Sequence, residues 1–94
     1  MDEERIVQRI KGYCDYYDTK FVGSLDLIDM ICSVIFNKEA FLTNKVGRRT
    51  AHNVTQQEAD RIKEYIKYME SKKLIFEDDK WGKKYFRVAK ELLN

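Results

Sequence analysis

Between Glu39 and Glu58 the sequence holds no acidic residue, and this longest acid-free window carries Lys45, Arg48, Arg49, His52 and Asn53. Long cationic side chains just ahead of a helix N-terminus, where free backbone N–H groups also gather, suit phosphate or another polyanion. An ordinary solvated basic loop would carry the same residues. His52 could add a donor, although a lone histidine is more often a plain surface or core residue.

Other chemistries find few parts in this chain. There is no Ser/His/Asp-like trio, no phosphate-cradling glycine loop and no carboxylate pair in an apolar setting. The residue types therefore point away from an enzyme, and no cofactor or small-molecule ligand is expected. Cys14 and Cys32, with His52 far from both, are too few ligands at the wrong spacing for zinc. Each cysteine falls on or near an apolar stripe, which suits buried free thiols. A disulfide within or between chains is the alternative.

Ninety-four residues, 44% hydrophobic and 13% aromatic, have room for one compact domain over 1–94 with a real core. Charged residues make up 36% and proline is absent, a balance towards which hyperthermophile proteins tend. Net charge is only +2, but residues 1–30 hold seven acids against four bases, so the positive charge lies in the remainder. Such a split fits a molecule with one face towards a polyanion. No apolar run reaches membrane-spanning length, and the start, MDEER, is acidic. A soluble intracellular protein with no membrane partner is expected, in the cytoplasm or, for a viral protein, the host cytoplasm.

Helical spacing puts Ile6, Ile10, Cys14 and Tyr17 on one stripe of a first helix, Asp2 to about Tyr17, with acids in its first turn. Phe21-Val22 is a short extended piece. Ser24 is a candidate N-cap for a second helix to Phe36, whose face of Leu27, Ile28, Ile31, Val34 and Ile35 is broad enough to be central. Residues 37–54 are irregular, with one further helical turn conceivable at Phe41-Leu42. Thr55-Gln56-Gln57-Glu58 is a capping box opening a third helix to about Lys72, with Ala59, Ile62, Ile66 and Met69 inside. Lys72 and Lys73 suit the negative end of its dipole. Leu74-Ile75-Phe76 and Tyr85-Phe86-Arg87-Val88 read as two strands joined through 77–84, with Gly82 near the tip, and Ala89–Leu93 as a strand end or short helix.

Helix, short strand, helix, helix and hairpin is the order of the winged helix-turn-helix family, and the chain resembles its small archaeal or viral transcription regulators. The run from Ile66 through Ser71-Lys72-Lys73 into Leu74-Ile75 is similar to the exit of that family's recognition helix. The resemblance implies an α+β, mainly α fold: three helices, a two-stranded C-terminal wing and a possible short terminal helix. One departure is the long 37–54 connection, where the family has a tight turn. Either the second helix continues past Lys38 or an insertion precedes the third.

The resemblance further implies that the helix from Thr55 enters the major groove of double-stranded DNA N-terminal end first. Gln56, Gln57 and Arg61 would then reach base edges, since glutamine pairs with adenine and arginine with guanine. Thr55, with Lys45, Arg48, Arg49 and Asn53, would meet phosphates. Lys80, Lys83 and Lys84 would form a basic wing tip, opposed by the acids Glu77, Asp78 and Asp79. A homodimer would double a small site, through the aromatic end of the first helix and Leu92-Leu93. A transcriptional regulator is the resulting expectation. The alternatives are a protein–protein adaptor on the same fold and a non-sequence-specific DNA binder.

Overall fold

A computed structural model of the protein describes residues 2–43, 45–50, 53–80 and 83–93. Helix α1 spans Asp2–Tyr17, and its stripe buries Ile6, Ile10 and Cys14. Tyr17 was expected on that stripe but is 60% exposed. The helix stops there: Thr19 N–H donates to the Cys14 carbonyl (3.0 Å) and Asp18 N–H to that of Asp15 (3.3 Å). Asp18 must turn left-handed (φ 50°) to make this stop, so Tyr17 rests against the Tyr13 ring instead of the core. Tyr13 itself ties α1 onward, its hydroxyl donating to the Asp26 carboxylate at 2.9 Å. Burial, then that acceptor, pushes its pKa up to about 12.

Strand β1 (Phe21–Gly23) leads straight into helix α2 (Ser24–Phe36). Ser24 is the first helical residue and not the cap, which falls to the extended Gly23 without a side-chain bond. The reason is pairing: β1 is held antiparallel to strand β5 (Lys83–Val88) as far as Gly23 opposite Tyr85. Extended backbone therefore persists to the last residue before the helix. Leu27, Ile31 and Cys32 are fully enclosed on α2, which meets α1, α3 and the sheet and so is central, as its wide apolar face predicts.

Asn37, left-handed at φ 54°, ends α2, so the helix does not run past Lys38. The described residues of the segment after it are not helical. Strands β2 (Leu42–Thr43) and β3 (Arg49–Thr50) form a small antiparallel hairpin in place of the further turn considered at Phe41-Leu42. The Asp29 carboxylate takes the Ala40 N–H at 2.9 Å and so diverts the chain from a helical ladder.

Helix α3 runs Gln56–Ser71 and buries Ile62 and Met69, with Ala59 and Ile66 half-buried. It ends as α1 does. Leu74 N–H reaches the Met69 carbonyl and Lys73 N–H that of Glu70, both at 3.0 Å, with Lys73 left-handed at φ 59°. Lys73 thus fills a conformational position where glycine is usual, beyond any dipole role.

Strand β4 is Ile75–Lys80, and the sheet order is β1-β5-β4, all antiparallel. Residues 77–80 and 83–84, expected in the connection, are strand. Opposite charges face across the ladder at Asp79 and Lys84, and Lys84 Nζ lies 3.6 Å from Glu77, so a charged run becomes a solvent-facing arm. The expected positive φ of Gly82 lies outside the described residues. The expected two-stranded hairpin is present as β4–β5, and β1 adds to its edge to make a three-stranded sheet. A short 3-10 turn, Lys90–Leu92, closes the chain.

The protein is α+β and mainly helical, with three α-helices and one three-stranded antiparallel sheet plus the small hairpin among the described residues. Val22, Ile75, Phe86 and Val88 of the sheet pack into the same cluster as the helices' apolar stripes. Both cysteines lie in it as buried free thiols, pushed up in pKa by burial. Among the described residues no helix is long and apolar enough to cross a membrane.

Candidate nucleic-acid interface

The start of α3 is fixed by a reciprocal cap. Thr55 Oγ1 accepts from Glu58 N–H (3.2 Å), and Glu58 Oε1 accepts from Thr55 N–H (2.9 Å), completing the capping box read from sequence. The same Glu58 oxygen accepts from Lys38 Nζ at 2.9 Å, which fastens the end of α2 to the head of α3. The Thr55 backbone donor, then Lys38, holds the Glu58 carboxyl below its ordinary range. A depressed carboxyl adds stability that is present above the unfolded pKa and lost as pH falls through the folded one. Glu58→Gln should therefore flatten the acid side of the stability profile. Urea midpoints measured between about pH 6 and about pH 3 should converge for the two proteins at the acid end. Parallel profiles would mean that Glu58 has no such linkage.

At the other end, the first turn of α1 clamps the tail of α3. The Tyr68 hydroxyl donates to Glu3 Oε2 (3.1 Å) and Lys72 Nζ lies 3.5 Å from Glu3 Oε1. The head of α3 is left open: Thr55, Gln56, Gln57, Asp60 and Arg61 are all exposed. At about 100° per residue, Gln57, Asp60, Glu64 and Lys67 share the middle of the outward face. Gln56 Nε2 donates to Asp60 Oδ1 at 3.0 Å. Arg61 lies towards one flank, its guanidinium 5.5 Å from the Phe36 ring centre, beside a groove lined by Asp2, Glu3, Glu64 and Tyr65. Sequence reasoning missed Asp60 and Glu64, although helical spacing alone sets them on the face of Gln57.

The β2–β3 hairpin stands directly before this helix. Lys45, Val46, Gly47 and Arg48 at its tip are exposed. Arg49 belongs to β3, but its side chain, like those of Lys80 and Lys83, lies outside the described part, as do His52 and Trp81. Asn53 is half-buried and its amide donates to the Glu39 carbonyl, so its donor fastens the hairpin base. Lys84 is on the sheet hairpin after α3, exposed and beside Glu77. An exposed pair of this kind contributes little to stability.

The elements thus bring Lys45 and Arg48 together at one tip and Thr55, Gln56, Gln57 and Arg61 together at the head of α3. Lys84 belongs to a separate hairpin with its own acids. Tyr16 is 81% exposed at the end of α1, whereas Leu92 and Leu93 pack in part against the core. Among the described residues no group of His, Cys, Asp and Glu side chains gathers as a metal site. Comparison with protein-family models, curated proteins and solved structures gives no match to this chain.

Proposed function

We propose that this protein is a winged-helix DNA-binding protein that regulates transcription as a homodimer, with α3 entering the major groove and β4–β5 serving as the wing. The observation that carries the reading is the head of α3: capped, rigidly fastened to α2, exposed, and preceded by an acid-free basic hairpin. The element order supports it, since three helices followed by a hairpin whose free edge receives the strand between the first two helices is the winged-helix layout. Gln56 and Gln57 can pair with base edges, Asp60 can accept from a cytosine amino group, and Lys45 and Arg48 can sit on phosphates.

Fluorescence anisotropy of a random 30-base-pair duplex against rising salt tests this reading. About five phosphate contacts give a slope near −4.5 in log affinity against log salt, so binding should weaken some hundreds-fold between about 50 and about 200 mM. No binding at low salt would overturn the proposal. That outcome would favour a protein–protein adaptor, a reading supported by Asp60 and Glu64 on the outward face and by the Lys84–Glu77 pair on the wing.

A further inference from the structure

We propose that the outer face of α1 is the surface through which two copies of this chain pair. The two α1 helices pack antiparallel about a two-fold axis near the level of Cys14, with Tyr16 of each copy seated on Gly12 of the other. This rests on the homodimer reading above and gives that dimer its interface.

The glycine is the first sign. Gly12 sits well inside α1, where glycine weakens a helix relative to alanine. Its backbone is not left-handed, and among the described residues nothing lies within 4 Å of where its Cβ would be. Nothing in the single chain therefore requires glycine there, whereas a second helix approaching closely would. At about 100° per residue Gly12 points away from the buried stripe of Ile6, Ile10 and Cys14. Gln8, Asp15 and Tyr16 flank it, all exposed, and Tyr16 is 81% exposed one turn beyond it.

Charge selects a second copy as the occupant. Asp15 and Asp18 stand at the negative end of the α1 dipole, and the last turn of that helix contains no base. Neither acid has an ion-pair partner among the described residues, and nor has Lys11. Lys20, the nearest base in sequence, holds its ammonium 5.7 Å from the Phe21 ring centre. A two-fold interface places one patch against itself, so the patch must carry both signs. Antiparallel pairing at the level of Cys14 sets Tyr16 opposite Gly12 and brings Lys11 between Asp15 and Asp18 of the other copy.

The space beside the glycine suits the same arrangement. Gly12, Lys11, Asp15 and Asp18 line an open groove of about 800 Å³ together with Cys14, Leu92 and Leu93. A tyrosine ring placed on Gly12 enters this groove and buries aromatic surface beside apolar side chains. Among the described residues none that lines it belongs to α3 or to either hairpin, so pairing here leaves the head of α3 open.

Sedimentation equilibrium of the full chain without DNA tests the inference. The natural protein should be largely dimeric at about 100 μM, with a Kd of about 10 μM for an interface at the small end of the specific range. Gly12→Gln should weaken pairing at least about tenfold. Its urea midpoint at about 1 μM, where both proteins are monomers, should be no lower than the natural one, because glutamine is the better helix former. Lys11→Glu should weaken pairing about tenfold, as should Asp15→Lys combined with Asp18→Lys, since each sets like charges together. An equimolar mixture of those two variants should regain the natural affinity, because opposite charges then meet at both symmetry-related sites. If Gly12→Gln pairs as tightly as the natural protein, or the mixture pairs no better than its parts, the interface lies elsewhere and the inference falls while the homodimer stands. A natural protein that stays monomeric overturns the inference and the homodimer together. Duplex binding, read separately by anisotropy, then decides the DNA-binding reading independently.

Discussion

Ile31→Ala is expected to lower folding stability by about 3 kcal/mol, read as a fall in the urea midpoint at constant m-value. Ile31 is fully buried in the middle of α2, the helix that touches α1, α3 and the sheet. Cutting it to alanine removes three carbons from water-free contact and leaves a cavity that four packed elements cannot all close. The better helix propensity of alanine returns only a few tenths of a kcal/mol. For 94 residues total stability is about 5–14 kcal/mol, so this one change takes about a fifth to three-fifths of it. Ile31→Val, which keeps the branch and loses one methyl group, should cost about 1 kcal/mol. A loss below that value for the alanine variant would mean that α2 is not the packed centre of this fold.

The same residue explains why so much of the fold is legible in the sequence. Helices of 13–16 residues repeat their apolar spacing several times, and Leu27, Ile31 and Val34 are an unambiguous stripe. The capping box at Thr55 is legible because it needs only local residues. The 42–50 hairpin carries no comparable signal, since strands of two residues are shorter than one full alternation. Its cause lies at a distance, in Asp29 and Asn53 capturing the backbone at 40 and 39. Glu77-Asp78-Asp79 reads as a loop by composition. Only its partner strand, with Lys84 opposite Asp79, makes it a strand. The helix ends fall within a residue of their expected places, although Asp18, Asn37 and Lys73 each adopt the left-handed turn without the glycine that usually announces it.

The candidate site divides along the same line. Residue types and charge distribution point to the stretch before Thr55, but pattern alone leaves Lys45 and Arg48 on a loop of unknown direction. The hairpin gives them one shared tip, and the capped head of α3 gives that tip a fixed neighbour. Asn53 has a fastening within the chain that pattern alone does not show, its amide donating to the Glu39 carbonyl.

The double variant Lys45→Ala with Arg48→Ala should then reduce affinity for every duplex sequence about 60-fold at 0.1 M salt. Each phosphate contact contributes about 0.9 to the slope of log affinity against log salt, which at 0.1 M is about an eightfold gain in affinity, and two contacts multiply. The slope itself should shallow by about 1.8. Because counterion release ignores sequence, the ratio of affinities between two unrelated duplexes should not move. Gln57→Ala makes the contrasting case: its slope should stay, while discrimination at one base pair falls by about 1–3 kcal/mol. Both exposed tip residues lie outside the core, so urea midpoints should stay within about 0.5 kcal/mol of the natural protein, which separates lost contact from lost fold. An unchanged slope in the double variant would remove this hairpin from the phosphate contacts. Any DNA contact would then fall to α3 and the sheet hairpin, whose acids and bases nearly balance.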